Sequence, residues 1–215
     1  MNKLSCIIGS MKLDAKQLRT VKEIDINLAL KNRLSHPIFL ILENVYDTYN
    51  IGGLFRLADA IGVEKLYLCG QMEIPPNPKI KKASIGTYKI VPWEYKTTVK
   101  EAIEEIKSKV KNQKSKIKVK NQSFDVAQDD PERSRMGQKL QVIAVEQSAK
   151  SIPYTKADYS TPVALIVGNE TFGVLPETLE LADQIVEIPM WGINKSLNVI
   201  VSAAIVSYQV MSTIT

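Results

Sequence analysis

IFLILENVYDTYNIGGLFRLADAIGVEKLYLC, residues 38–69, holds two short apolar runs separated by a helical pattern. Pro37 stops any helix entering from the N-terminal side, and residues 38–43 then read as a strand. IGGLFRLADAI, about 51–61, reads as a helix, and EKLYLC, 64–69, as a second strand. Strands this apolar, alternating with helices, imply buried strands of a parallel sheet covered on both faces.

The same alternation continues in both directions. Residues 14–33 (DAKQLRTVKEIDINLALKNR) have the pattern of an amphipathic helix, so residues 1–35 form an expected N-terminal helical extension and 36–215 the main domain. A Pro-rich loop at 71–79 and an extended stretch near KIVPWEY follow. Over 97–111, Val99, Ile103, Ile106 and Val110 recur at spacings of four, three and four, which predicts a helix with one apolar stripe. Residues 112–138 are polar, poorly periodic and rich in both charge signs, and are expected to form a flexible insertion. Strands at 140–146 and 163–168, a helix at 176–183, a strand at 184–189 and a helix at about 196–211 complete an α/β pattern. The last helix, SLNVIVSAAIVSYQVM, is apolar almost all round, so more than one face needs a partner.

Composition narrows the class of protein. With 45% hydrophobic and 24% charged residues among 215, and no apolar run near the roughly 20 residues that span a bilayer, the chain is expected to be soluble and without a membrane partner. The start, MNKLSCIIGSMKLDAK, has no long apolar core of an export signal. Cys6 and Cys69 lie far apart with no CxxC spacing and are expected as free thiols of a reducing cytoplasm. The formal net charge is +5, but seven lysines (Lys107, Lys109, Lys111, Lys114, Lys116, Lys118, Lys120) fall in one segment, and without them it is −2. That segment fits either a solvated helix end or a phosphate-contacting arm.

Three segments hold candidate chemistry. In NIGGLFRLADA (50–60), Asn50 fits an N-cap, Gly52 and Gly53 permit close backbone approach, and Arg56 is placed to meet a phosphate or ribose. VALIVGNETFGV (163–174) runs a buried strand into Gly168, Asn169 and Glu170, where glycine permits a tight exit and the glutamate is either a surface residue or an acceptor at the sheet edge. In EIPMWGINKSLNVIVSAAIVSY (187–208), a strand and a turn precede Ser196, Leu197 and Asn198 at the cap of the long helix. No GxGxxG follows a strand, which argues against a dinucleotide-dependent oxidoreductase.

Taken in order, these segments closely resemble the three motifs of the SpoU/TrmH family: N-x-x-x-x-x-R, G-N-E with a following Gly, and I-P-M-x-G-x-x-x-S-L-N-V. The resemblance covers roughly 36–211 apart from 112–138. It implies a SPOUT-type α/β domain with a C-terminal trefoil knot, a homodimer, and methyl transfer from S-adenosylmethionine to a ribose 2′-hydroxyl of RNA. By the same resemblance, Gly168, Ile188 and Leu197, together with Val167, Met190 and Asn198, line the cofactor pocket, largely through backbone groups. Asn50, Arg56, Glu170, Ser196 and Asn198 form the reaction site. Glu170 fixes the first motif against the second, Asn50 holds Arg56 or the ribose, and Asn198 orders the cofactor loop.

His36, the sole histidine, precedes Pro37 away from all three motifs, so a histidine base is not expected, and no Cys, His or carboxylate spacing suggests a metal site. The resemblance points to Arg56 for handling the hydroxyl proton. A free guanidinium titrates above about 12, so a literal base role requires strong perturbation, and a substrate phosphate oriented by Arg56 is the alternative acceptor. A non-catalytic RNA-binding member of the fold is the rival reading; the presence of all five polar positions argues against it. About 35 residues precede the first strand and the sequence ends just after the last helix. Without an appended RNA-binding domain, tRNA is expected over rRNA.

Overall fold

The computed structural model describes residues 15–20, 34–121 and 139–214. A short helix α1 (Ala15–Thr20) precedes β1 (His36–Glu43), α2 (Thr48–Ala60), β2 (Val63–Cys69), α3 (Pro78–Ser84), β3 (Trp93–Lys96) and α4 (Val99–Asn121). Then come β4 (Gln141–Val145), β5 (Ile152–Pro153), β6 (Val163–Val167), α5 (Pro176–Leu179), β7 (Gln184–Glu187) and α6 (Val199–Ile214). The seven strands form one sheet in the order β3-β2-β1-β6-β4-β7-β5. Every pairing in it is parallel, as the uninterrupted apolar runs require.

Strand periodicity divides the core in two. Ile38, Leu40 and Leu42 of β1 face a cluster with Leu54, Phe55 and Ala58 of α2 and Ala203, Val206 and Val210 of α6. Phe39 and Ile41 face the other way, onto Val99, Ile103 and Ile106 of α4, because successive side chains alternate across the sheet. Gly52 and Gly53 serve the first layer. A Cβ on Gly52 would lie 2.4 Å from the Cβ of Ala83, and one on Gly53 2.4 Å from Cδ1 of Ile200. The close approach permitted there is helix against helix.

Several boundaries differ from the sequence expectation. Of the expected helix at 14–33, residues 15–20 are helical and the rest lies outside the described residues. Residues 78–84, at the end of the expected Pro-rich loop, form α3; Asn77 caps it by accepting the amides of Lys79 and Ile80, and Pro78 opens its first turn. The expected insertion begins too early. Helix α4 continues to Asn121, since lysine is a good helix former and neither Gly nor Pro interrupts the segment; 122–138 lie outside the described residues. Residues 180–183, expected as helix, follow α5 as a turn. Cys69 is free and buried, and Cys6 lies outside the described residues.

Within the basic segment, Lys109 pairs with Glu105 at 2.7 Å. Glu105 also takes Lys96 of the edge strand β3 at 2.6 Å. Lys109 also donates to the Tyr67 hydroxyl of β2 at 3.3 Å, so at least one of the seven lysines ties α4 to the sheet. No helix among the described residues is long and apolar enough to cross a membrane.

Leu165 sits fully buried in β6, a central strand. Leu165→Ala is expected to cost about 2–5 kcal/mol, read in urea unfolding as a lower midpoint with an unchanged slope.

Candidate functional site

The turns that leave β1, β6 and β7 meet beyond the carboxyl ends of the strands, where open parallel sheets bind ligands. Asp47, not Asn50, caps α2: its carboxylate accepts the amide of Tyr49 at 2.7 Å. Asn50 therefore sits inside the first turn, 7% exposed, with its side chain free for distant partners. Its Nδ2 donates to Oε1 of Glu170 at 2.9 Å, and its Oδ1 accepts from Nδ2 of Asn198 at 3.0 Å. One amide group thus joins all three segments. Asn198 in turn caps α6, its Oδ1 accepting the amide of Ile200 at 2.9 Å, so the helix begins at Val199 instead of 196.

Glu170 is more than a surface residue at a turn. Its two oxygens also accept the amides of Tyr46 and Asp47, each at 3.2 Å. Burial on its own would raise its pKa; the hydrogen bonds from Asn50, from its own amide and from the amides of Tyr46 and Asp47 outweigh that and hold the carboxyl below its ordinary value. The loop carrying it is built by Asn169, whose Oδ1 accepts the amides of Thr171 and Phe172 at 2.7 and 2.9 Å and whose Nδ2 donates to the carbonyl of Asn44 at 2.8 Å. Asn169 and Gly173 close the loop as an antiparallel bridge. A Cβ at Gly168 would lie 2.3 Å from the carbonyl oxygen of Gly173. Glycine is needed there for the loop's own return.

A cavity of about 600 Å³ opens beside this network, within the range of roughly 300–1,000 Å³ typical of small-molecule sites. Val167, Gly168, Ile188, Met190, Leu197 and Asn198 all line it, as do Glu170 and Ser196. Glu146 and Gln147 also line it, and the Gln147 side chain donates to the carbonyl of Lys195 at 2.6 Å. Sequence reasoning passed over both; their only signal was a polar pair ending an apolar strand. The carboxylates of Glu146, Glu170 and Glu187 stand against one cation, Lys195. This donor set fits a ligand carrying a sulfonium and an ammonium group.

Arg56 is placed differently. It stands exposed on α2, its side chain makes no hydrogen bond or ion pair among the described residues, and it is not among the residues lining the cavity. Six helical positions carry it about 9 Å along the axis and roughly 120° around from Asn50. The Asn50 amide accordingly bonds Glu170 and Asn198 and leaves Arg56 unheld.

These features define an α/β domain with a small-molecule cavity at the carboxyl ends of a parallel sheet, bordered by an amide–carboxylate relay anchored on the buried Asn50. The chain belongs to the SpoU rRNA Methylase family, whose sequence profile matches residues 37–132 and 132–208. It is 29% identical over 200 residues to the tRNA (guanosine(18)-2′-O)-methyltransferase of Aquifex aeolicus (strain VF5), covering 90% of this chain and 75% of that protein. With the enzyme of the same description from Escherichia coli (strain K12) it shares 26% over 180 residues, 82% of this chain and 64% of the relative. Among solved structures, the A. aeolicus TrmH/SpoU tRNA modifying enzyme superimposes with a TM-score of 0.62 at 26% identity, covering 92% and 81% of the two chains. The AdoMet bound rRNA methyltransferase from Sinorhizobium meliloti shares the fold, with a TM-score of 0.64 at 22% identity over 92% of this chain and 60% of that one. Against the E. coli and S. meliloti proteins, this chain therefore spans less than two thirds of the relative's length.

Because the folded pKa of Glu170 is depressed, its relay contributes stability that is fully present above the unfolded value near 4.5 and is lost as pH falls through the folded value below it. The difference in unfolding midpoint between wild type and Glu170→Gln is expected to be constant from pH 7 to about pH 5 and to shrink in more acid solution. Chemical unfolding at a series of pH values checks this.

Proposed function

We propose that this chain transfers a methyl group from S-adenosylmethionine to a ribose 2′-hydroxyl of RNA, with tRNA favoured over rRNA, and that residues 36–215 form the catalytic domain. The observation that carries the reading is the relay Glu170–Asn50–Asn198 at the mouth of the cavity, in a chain of the SpoU family. The tRNA preference rests on the tRNA-acting relatives from A. aeolicus and E. coli.

The cofactor, when bound, supplies an electrophilic methyl group. Val167, Gly168, Ile188, Met190, Leu197 and Asn198 would hold it, and the acidic lining would balance its positive charges. Asn50, Glu170, Ser196 and Asn198 present the polar edge against which the ribose is aligned, and alignment supplies most of the rate. Arg56, unpaired and exposed, forks onto the adjacent phosphate; the ribose hydroxyl gives its proton to that phosphate as its oxygen takes the methyl. Tyr49 and Phe172 flank this edge, 53% and 75% exposed, and suit stacking on an unpaired base. Lysines of the 107–120 segment add salt-sensitive phosphate contact.

The assembly we propose is a cytoplasmic homodimer. Helix α6 buries Val199, Ala203, Val206 and Val210, yet Val201 and Tyr208 on its other side stay open, and Trp191 in the preceding loop is 92% exposed. A second subunit covering this face would satisfy the apolar surplus of the helix. We further propose that the C-terminal segment threads as a trefoil knot; the insertion of β6 between β1 and β4 and of β7 between β4 and β5 supports that topology.

Labelled S-adenosylmethionine offered with total tRNA and, separately, with rRNA is expected to leave label in tRNA as a 2′-O-methyl nucleoside. Arg56→Ala is expected to lower kcat by about 100-fold or more, the scale of losing one charge-stabilising donor. Label confined to rRNA would overturn the substrate preference. Cofactor binding with no transfer to either RNA would reject the catalytic reading in favour of an RNA-binding role.

A further inference from the structure

We infer that Glu43 and Glu146, two glutamates outside the three motifs, act as a clamp that positions Glu170 for the reaction. The inference rests on the methyltransferase reading above. Strand β6 lies between β1 and β4, and Leu42, Val167 and Val145 share one register row across the three. The next residue along each chain segment is Glu43, Gly168 and Glu146. The chain leaving β6 therefore passes between two carboxylates, one from each neighbouring strand.

The carboxylates take consecutive amides of that chain from opposite sides. Oε2 of Glu146 accepts the amide of Val174 at 2.8 Å, and Oε2 of Glu43 accepts the amide of Leu175 at 2.9 Å. The second oxygen of each is also engaged: Oε1 of Glu43 by the Thr178 hydroxyl at 2.5 Å, Oε1 of Glu146 by the amide of Gln147 at 2.8 Å. Glu146 lies so close over Gly173 that a Cβ there would come within 2.0 Å of its oxygen. Gly173 itself has φ of +68°, the left-handed region glycine favours.

The loop between Gly168 and Gly173 is thus held at its exit by the clamp, across its base by the Asn169–Gly173 bridge, and at its tip by Glu170 on Asn50. Glu43 is 5% exposed. Burial pushes its carboxyl above the ordinary range, while the bonds from Thr178 and Leu175 oppose the shift. A buried carboxylate is costly relative to an apolar residue of similar size. Placement of the loop is the use to which the charge is put.

The donors facing each glutamate make the clamp testable by substitution. Glu43 faces one N–H and one hydroxyl, and a hydroxyl can turn to accept. Glu43→Gln can therefore satisfy both partners, its oxygen taking Leu175 and its NH₂ donating to Thr178. Glu146 faces two N–H groups, so Glu146→Gln must point an NH₂ at a donor.

Methyl-transfer kinetics on the full chain would measure kcat and KM for Glu146→Gln, Glu43→Ala and Glu43→Gln, each alone and combined with Glu170→Gln. Displacements of an ångström cost up to about 100-fold, so Glu146→Gln and Glu43→Ala are expected to lower kcat at least about tenfold. For Glu43→Ala, KM for RNA should change less than about threefold. Glu43→Gln should stay within about threefold of wild type. In the Glu170→Gln background Glu43→Ala should cost little more, because its effect passes through Glu170, whereas Glu146 also lines the cavity. If Glu43→Ala folds poorly, Glu43→Gln combined with Thr178→Val tests the same point by removing the hydroxyl acceptor.

Hydrogen exchange at Val174 and Leu175 is a readout independent of activity. Protection at these amides should fall in Glu146→Gln and Glu43→Ala and persist in Glu43→Gln. If wild type transfers no methyl group while the protection pattern holds, the proposed function fails and the clamp geometry stands. The inference is overturned if Glu43→Gln is as damaging as Glu43→Ala, if kcat is unchanged in all variants, or if the Glu43→Ala loss adds fully to that of Glu170→Gln.

Discussion

A carboxylate can only accept hydrogen bonds, and at Glu170 that restriction sets the direction of the bonds that join the three segments. Asn50 must turn its NH₂ toward Glu170, which leaves its oxygen for Asn198. Asn198 must then spend its own NH₂ on Asn50, which leaves its oxygen to cap α6 at Ile200. From one fixed charge, the orientation of two amide side chains and the start of the last helix follow. The loop after β6, the first turn of α2 and the start of α6 become one mechanical unit, and the cavity lies against it.

The sheet makes this junction possible. Strands β1 and β6 are neighbours in register, so the turns leaving them emerge side by side although their residues lie more than 100 positions apart in the chain. The glycines divide the work by location. Gly52 and Gly53 let α3 and α6 close on α2, and Gly168 and Gly173 let the Glu170 loop fold back on itself. The atoms nearest an added Cβ at each of the four are the protein's own. The space for a ligand lies at the ends of β4, β6 and β7, and Gly168 and Gly173 are part of its lining.

Much of this was legible in the sequence where local pattern and tertiary role agree. The apolar runs at 38–43, 64–69 and 163–167 are strands because burial on both faces leaves no polar alternation to confuse them. Val99, Ile103, Ile106 and Val110 form the buried stripe their spacing implies. Errors arose where two signals competed. Pro75, Pro76 and Pro78 read together as a loop, although Asn77–Pro78 is an N-cap followed by a first-turn proline. The end of α4 reads as an insertion because its apolar stripe fades, while helix propensity continues without it.

At the site, residue identity was legible and partnership was not. Asn50 carries a capping residue's signature, and only the structure shows Asp47 taking the cap and releasing Asn50 for Glu170, 120 positions away. Glu43 and Glu146 read as ordinary strand ends, since their partners lie 132 and 28 residues distant. The most direct test of the account is a crystal structure of the chain grown with S-adenosylhomocysteine, the demethylated cofactor. The account predicts that it occupies the cavity against Gly168, Ile188 and Leu197 with the Glu170–Asn50–Asn198 relay intact. A ligand bound elsewhere, or a cavity that stays empty at saturating concentration, would contradict it.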